Sequence, residues 1–145
     1  MQESIYIPSS GGHKLAGVVH RPDAGRPVTW ALFAHCFTCT KNIRAAVEIA
    51  DALCAEGIAV LRFDFTGLGQ SEGEFAETHF SANVQDIMDV AKHMAESGRA
   101  PEILVGHSLG GTAVLAAAHE IDSSAAVATI GSPAEAEHVL HLLED

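Results

Sequence analysis

A chain of 145 residues has room for one domain with a proper core and not for two ordinary ones. Apolar residues make up 48% of it and charged residues 19%, the balance of a globular protein, and no apolar run approaches the ~18–20 residues of a membrane-spanning helix. Eight Lys+Arg against nineteen Asp+Glu give a formal net charge of −11, a surface that repels phosphate backbones and anionic lipid and so argues against nucleic acid and membrane as partners.

The N-terminus, Met1-Gln2-Glu3-Ser4, has no basic region followed by an apolar stretch, so the expected compartment is the cytoplasm. Three cysteines, an odd count, make no disulfide framework and fit a reducing environment. Ser4–Pro8 and Lys14–His20 read as two strands of an opening hairpin turned at Gly11-Gly12. Thr29–Ala34 is a near-continuous apolar run, the pattern of a strand buried on both faces. From Ile43, apolar residues recur at Val47, Ala50 and Cys54, one face of a helix that Gly57 ends, with Cys54 in the core. Ile58–Phe63 is the next buried strand. A glycine-rich loop, Gly67-Leu68-Gly69-Gln70-Ser71, leads to a helix over 81–97 with a stripe at Val84, Ile87, Met88, Ala91 and Ala95. Ile103–Val105 is a strand running into Gly106-His107-Ser108-Leu109-Gly110-Gly111, followed by a helix over Thr112–Ile121 and a buried strand over Ala125–Ile130. An acidic helical stretch, Ala134–Asp145, closes the chain. Glu48, Asp51, Glu56, Asp86, Asp89 and Glu96 read as solvated helix faces. Strands alternating with helices predict an α/β fold, a mostly parallel sheet with helices on both faces, in one domain spanning residues 1–145.

The strongest chemical signal is Gly106-x-Ser108-x-Gly110 between a predicted strand and a predicted helix. A serine lifted above the end of a sheet needs a strained turn, and side chains two residues to either side would strike neighbouring backbone. Glycine at both places removes the collision. The helix behind the serine aims its first N–H groups at developing negative charge. The alternative is a tight structural turn with a spectator serine.

With these residues in view, the chain from about Ile5 to Ala134 resembles the α/β-hydrolases. His35-Cys36-Phe37 after the third strand is similar to the family's His-Gly-X oxyanion loop, and Asp64-Phe65-Thr66-Gly67-Leu68-Gly69-Gln70-Ser71 after the fourth is similar to its D-x-x-G-x-G-x-S turn. Phe33-Ala34-His35-Cys36-Phe37-Thr38-Cys39 also resembles bacterial hydrolases fused to an OsmC-like domain. The resemblance implies a serine hydrolase of the esterase type, acting on a small-molecule acyl substrate without metal or cofactor. Ser108 would be the nucleophile, and the backbone N–H groups of Phe37 and Leu109 the oxyanion hole. Cys36 departs from the family, standing where it has glycine. The family's acid and histidine follow the serine in the order Ser, Asp or Glu, His, and neither finds a matching position here, so the chain reads as a hydrolase domain truncated after its sixth strand.

Other residues carry weaker signals. Glu135 and Glu137 follow the sixth strand without spacing that marks either as the acid. His138 and His141 share a helix face and read as solvated, with no third ligand for a metal. His119 lies in the helix behind the nucleophile, facing away from the turn. His107 reads as a packing residue, and His35 as structural, its ring bonded to nearby backbone. Asp64 reads as an acceptor for the glycine loop's backbone. Cys36-Phe37-Thr38-Cys39, after a buried strand and before a helix, is the layout of a dithiol redox site. Three readings therefore stand: a serine hydrolase acting through Ser108, a non-catalytic binding module on the same fold, and a dithiol redox protein using Cys36 and Cys39. The sixth strand, without outer neighbours, predicts self-association or pairing with a missing C-terminal half.

Overall fold

The computed structural model describes residues 1–37 and 39–134. Six strands, β1 (Gln2–Pro8), β2 (Lys14–His20), β3 (Thr29–Ala34), β4 (Ile58–Phe63), β5 (Ile103–His107) and β6 (Ala126–Ile130), form one sheet in the order β1-β2-β4-β3-β5-β6. The first two are an antiparallel hairpin, β2 pairs antiparallel with β4, and β4, β3, β5 and β6 run parallel. Three helices connect them: α1 (Arg44–Ala55), α2 (Phe80–Glu96) and α3 (Leu109–Ala118). This is the expected α/β sheet with helices on both faces.

Strand alternation sorts the core into two layers. Leu32, Ala34, Leu61, Phe63 and Leu104 point to the side of α2 and α3, where they meet Ile87, Val90, Met94, Ala113 and Val114. Ala31, Phe33, Val60 and Val105 point to the other side and meet Ala46 and Ala50 of α1. Both faces of β3, β4 and β5 are covered, which is why these strands are almost entirely apolar; Arg62 of β4 is the buried exception, its guanidinium bonded to His20 and the Lys41 carbonyl.

Four expectations shift. The buried face of α1 is Ala46 and Ala50, with Ile43, Ile49 and Leu53 beside it, one position out of phase with Val47 and Cys54. Cys54 is half-buried and lines a surface pocket instead of the core. The face of α2 runs through Asn83, Asp86, Ile87, Val90, Ala91 and Met94. Its first turns are anchored by a polar bond, because Asp86, far from being solvated, is 5% exposed and accepts from the Thr66 N–H and hydroxyl. Burial pushes its carboxyl above the ordinary value, with the two Thr66 bonds pulling the other way. Third, α3 begins at Leu109, three residues before the expected start, and ends at Ala118. Last, β6 sits at the edge of the sheet and is exposed along its whole length. Its sequence is that of a buried strand, but among the described residues nothing covers its side chains to that degree.

Candidate active site

The sheet's parallel strands deliver three loops to one end. Ser108, between β5 and α3, has φ 55° and ψ −127°, and it alone among the described non-glycine residues has positive φ. Such a conformation costs on the order of 1–3 kcal/mol and persists only where the surroundings impose it. Here they do. Its N–H donates to the Ile130 carbonyl at 2.9 Å, continuing the pairing of β5 with β6 past the strand's end. The chain then turns at once into α3, with Gly111 N–H bonded back to the Ser108 carbonyl at 2.9 Å.

The flanking glycines are required by contact. A Cβ on Gly106 would stand 2.3 Å from the Gly111 Cα, and one on Gly110 2.2 Å from the His35 carbonyl oxygen. The second contact also explains how two loops come together: the first turn of α3 presses directly on the backbone that leaves β3. Phe37 and Leu109 consequently line one pocket of about 100 Å³, with Phe75, Thr78, His79, Phe80 and Asn83 around them. Phe37 is held by edge contacts to Phe65 and Phe75, at centroid distances of 5.1 and 5.9 Å. Ser108 is itself partly exposed, while Leu109 and Gly110 behind it are buried.

The third loop, after β4, is tied to the first by a carboxylate. Asp64 is fully buried and accepts from the Lys41 N–H at 2.7 Å, the Lys41 Nζ at 2.9 Å and the Gln70 N–H at 3.0 Å. The glycine loop folds around it so closely that a Cβ on Gly69 would lie 2.4 Å from its carboxylate. Asp64 is therefore the structural acceptor the sequence suggested, with a partner it did not suggest. Lys41 is 1% exposed and also donates to Gln70 Oε1 at 2.8 Å. A lysine in a loop gives no signal of burial. Only the need of a buried carboxylate for a counter-charge could have pointed to it.

His35 is buried, and its Nδ1 bonds the Cys36 carbonyl, as a structural histidine should. Its Nε2 accepts from the Phe65 N–H at 3.4 Å. Asp64 Oδ1 lies 3.6 Å from that same Nε2, beyond hydrogen-bond reach. Burial pushes the imidazole below its ordinary value, more than the Cys36 carbonyl and Asp64 raise it, so His35 is a neutral ring bearing its proton on Nδ1. This is no ion pair.

The remaining candidates part company. His119 caps the far end of α3, a helix ~15 Å long, in an exposed pair with Glu120. Glu135, Glu137, His138 and His141 lie outside the described residues. Among the described residues no histidine or carboxylate hydrogen-bonds the Ser108 hydroxyl. Cys36 and Cys39 are joined in a disulfide, their Cα atoms 5.2 Å apart, inside the range that such a bond needs. The C-x-x-C spacing marks these two as a pair, and the odd cysteine count, which argues against a disulfide framework, is accounted for by the free Cys54. His107 departs from a plain packing residue, because its Nδ1 is buried and takes no hydrogen bond.

A doubly covered, mostly parallel sheet that lifts one strained serine between β5 and a helix N-terminus defines an α/β-hydrolase. A family model described as "Serine aminopeptidase, S33" matches residues 34–141, and the chain belongs to this α/β-hydrolase family. It is 39% identical over 77 residues to the mitochondrial palmitoyl-protein thioesterase ABHD10 of Rattus norvegicus, a match covering 53% of this chain and 25% of that protein. Among solved structures, the esterase domain of a Rhodothermus marinus protein superposes with a TM-score of 0.80 at 42% identity, covering 97% of this chain and 54% of that one. XC6422 of Xanthomonas campestris, described as an a/b serine hydrolase without lid, superposes at 0.82 with 24% identity over 93% of this chain and 63% of that one, a likeness of fold. The chain thus spans about a quarter of the curated thioesterase and about half of the solved esterase domain.

Proposed function

We propose that this chain carries the nucleophile and oxyanion half of a serine hydrolase that cleaves carboxylic esters or thioesters through an acyl-enzyme on Ser108. The observation that carries the reading is the Ser108 backbone at φ 55°, a strain the fold maintains at a partly exposed hydroxyl above the sheet. The esterase and thioesterase among its relatives support the same class of reaction. In the proposed sequence the Ser108 Oγ attacks the acyl carbonyl while a base takes its proton. Negative charge gathers on the carbonyl oxygen and is met by the N–H groups of Leu109 and Phe37, whose residues share a pocket. The alkoxide or thiolate then leaves with the proton, and water repeats the attack on the acyl-enzyme. The base and its carboxylate partner would come from outside the described residues. β6, apolar and exposed at the sheet edge, is the surface on which further sequence, or a second copy, would add a strand.

The mostly apolar wall of Phe37, Phe75, Phe80 and Leu109 suits an acyl chain better than a charged one. Turnover of p-nitrophenyl acetate and of a fatty-acyl thioester by the full-length protein tests the reading. Substituting Ser108→Ala should lower both by at least about 10³-fold, the scale on which catalysis falls when a nucleophile is removed. Unchanged turnover in that variant would leave the non-catalytic binding module as the better account.

A further inference from the structure

The Ser108 chemistry leaves unused a cluster that stands beside it. Cys36 follows β3, Cys39 lies three residues on, and His107 ends β5, the strand that neighbours β3. The two sulfurs and a ring nitrogen of His107 all lie within 4.8 Å of one another. The sulfurs are bonded as a disulfide. Cys39 is partly exposed and Cys36 is 7% exposed, so attack from solvent has one open sulfur and one sheltered one. Among the described residues His107 Nδ1 is buried with no hydrogen-bond partner, a polar atom that the fold leaves unsatisfied in this state. The bridged segment contains Phe37, whose N–H is the proposed oxyanion donor. Any change in the bridge acts on that donor through two or fewer peptide units.

We propose that Cys36, Cys39 and His107 form a thiol–disulfide exchange site for a dithiol reductant, and that closing the bridge fixes the Phe37 donor for catalysis at Ser108. The second half rests on the function proposed above, and the first half does not. A thiolate of the reductant attacks the Sγ of Cys39, the less buried of the two cysteines. A mixed disulfide forms, the bond between Cys39 and Cys36 breaks, and the electron pair leaves on the Cys36 sulfur. His107, at Coulombic distance, stabilises that thiolate when protonated. The second thiolate of the reductant then attacks its own sulfur in the mixed disulfide and releases Cys39. Two electrons and two protons pass from the dithiol to the cysteine pair, and the reductant becomes a disulfide. In the closed state Phe37 is seated on Phe65 and shares the pocket with Leu109, so that state has its donors in place before substrate arrives. Opening the bridge removes the constraint on Phe37 and weakens that arrangement.

The test uses the full-length protein equilibrated in dithiothreitol buffers of graded redox ratio. The redox state is read by alkylation and mass spectrometry, and Ser108 reactivity by the rate of fluorophosphonate labelling once the buffer is removed. The pair should titrate reversibly between dithiol and disulfide. His107→Phe should slow alkylation of the reduced pair several-fold at any given pH while leaving the pair able to close, which a packing role alone would not do. Ser108 should label at least about tenfold faster in the closed state, and Cys39→Ser should label at the slow rate in every buffer. A pair that fails to close again, or that takes up one equivalent of zinc when reduced and is thereby protected from alkylation and oxidation, would overturn the exchange site. Equal labelling of Ser108 in both states would overturn the coupling. Absence of labelling in either state, with the pair still cycling, would instead remove the Ser108 function and the coupling with it, leaving the exchange site supported.

Discussion

Two turns leave the same end of the sheet, one after β4 and one after β5, and each is built around glycines whose replacement would drive a Cβ into neighbouring atoms. In the first, the glycine loop wraps a carboxylate. Asp64 has no exposure, ordinary strand-end surroundings and three donors at 2.7–3.0 Å, so its acceptor capacity is taken up by the fold. In the second, glycines clear space for a serine that is partly exposed, conformationally strained, and bonded to no histidine or carboxylate among the described residues. Both turns bring a polar residue to the site by the same steric device. What distinguishes a structural residue from a reactive one is whether its hydrogen bonds are already satisfied inside the protein. Strain at a partly exposed hydroxyl that no histidine or carboxylate bonds among the described residues is what supports the role proposed for Ser108.

The comparison predicts opposite responses to substitution. Ser108→Ala, with its loss of acyl turnover by at least about 10³-fold, should leave the urea midpoint nearly unchanged, because the hydroxyl supports nothing in the fold. Asp64→Asn should do the reverse. It leaves the Lys41 ammonium buried without its counter-charge, and removing one partner of such a pair costs about 3–5 kcal/mol, readable in chemical denaturation. Replacing both, as Asp64→Leu with Lys41→Met, should recover part of that loss. Sharper still is Ser108→Gly. Glycine adopts φ 55° freely, so the variant should be inactive yet more stable by about 1 kcal/mol, a small rise in midpoint that a merely structural serine would not give.

The β3 loop adds a pH dependence of smaller size. Burial holds His35 and His20 below the ordinary value of 6.5, so both are neutral in the fold while the unfolded chain takes up protons near 6.5. Their contribution is present in full above that pH and is lost as pH falls from it through the lower folded values. Asp86 acts in the opposite sense. Its raised carboxyl binds a proton earlier in the fold than in the unfolded chain, so acidification toward 3.8 relieves its cost. Urea midpoints at pH 7.5 and 5.5 should show a decline, and His35→Asn, which keeps a donor for the Cys36 carbonyl, should reduce it. A flat profile would mean that His35 is charged in the fold.

How legible the two turns were in the sequence follows from the same physics. The Ser108 turn was readable because its constraint is steric and local: glycines at 106 and 110 between an apolar run and a helix admit few other meanings. A mostly parallel sheet covered on two sides followed from the apolar strands, and the stops of α1 and α2 from Gly57 and Gly98, while the order of the strands did not. What was lost is what depends on distant partners. Asp86 looked like a solvated helix residue because Thr66, its partner, is twenty residues away in sequence. Lys41 gave no signal in the sequence because its partner Asp64 is brought to it only by the pairing of β3 with β4. The pairing of Cys36 with Cys39 was legible in their C-x-x-C spacing, while the odd total of cysteines argued only against a disulfide framework. β6 looked buried because its residues are, like those of β3, apolar, while its burial depends on neighbours outside its own sequence.

Treatment of the full-length protein with a fluorophosphonate, followed by intact mass and peptide mapping, addresses the central claim most directly. A single adduct should appear on Ser108 and vanish in Ser108→Ala. A folded protein that takes up no adduct, or one whose labelling continues unchanged in the alanine variant, would contradict the assignment of Ser108 as the nucleophile.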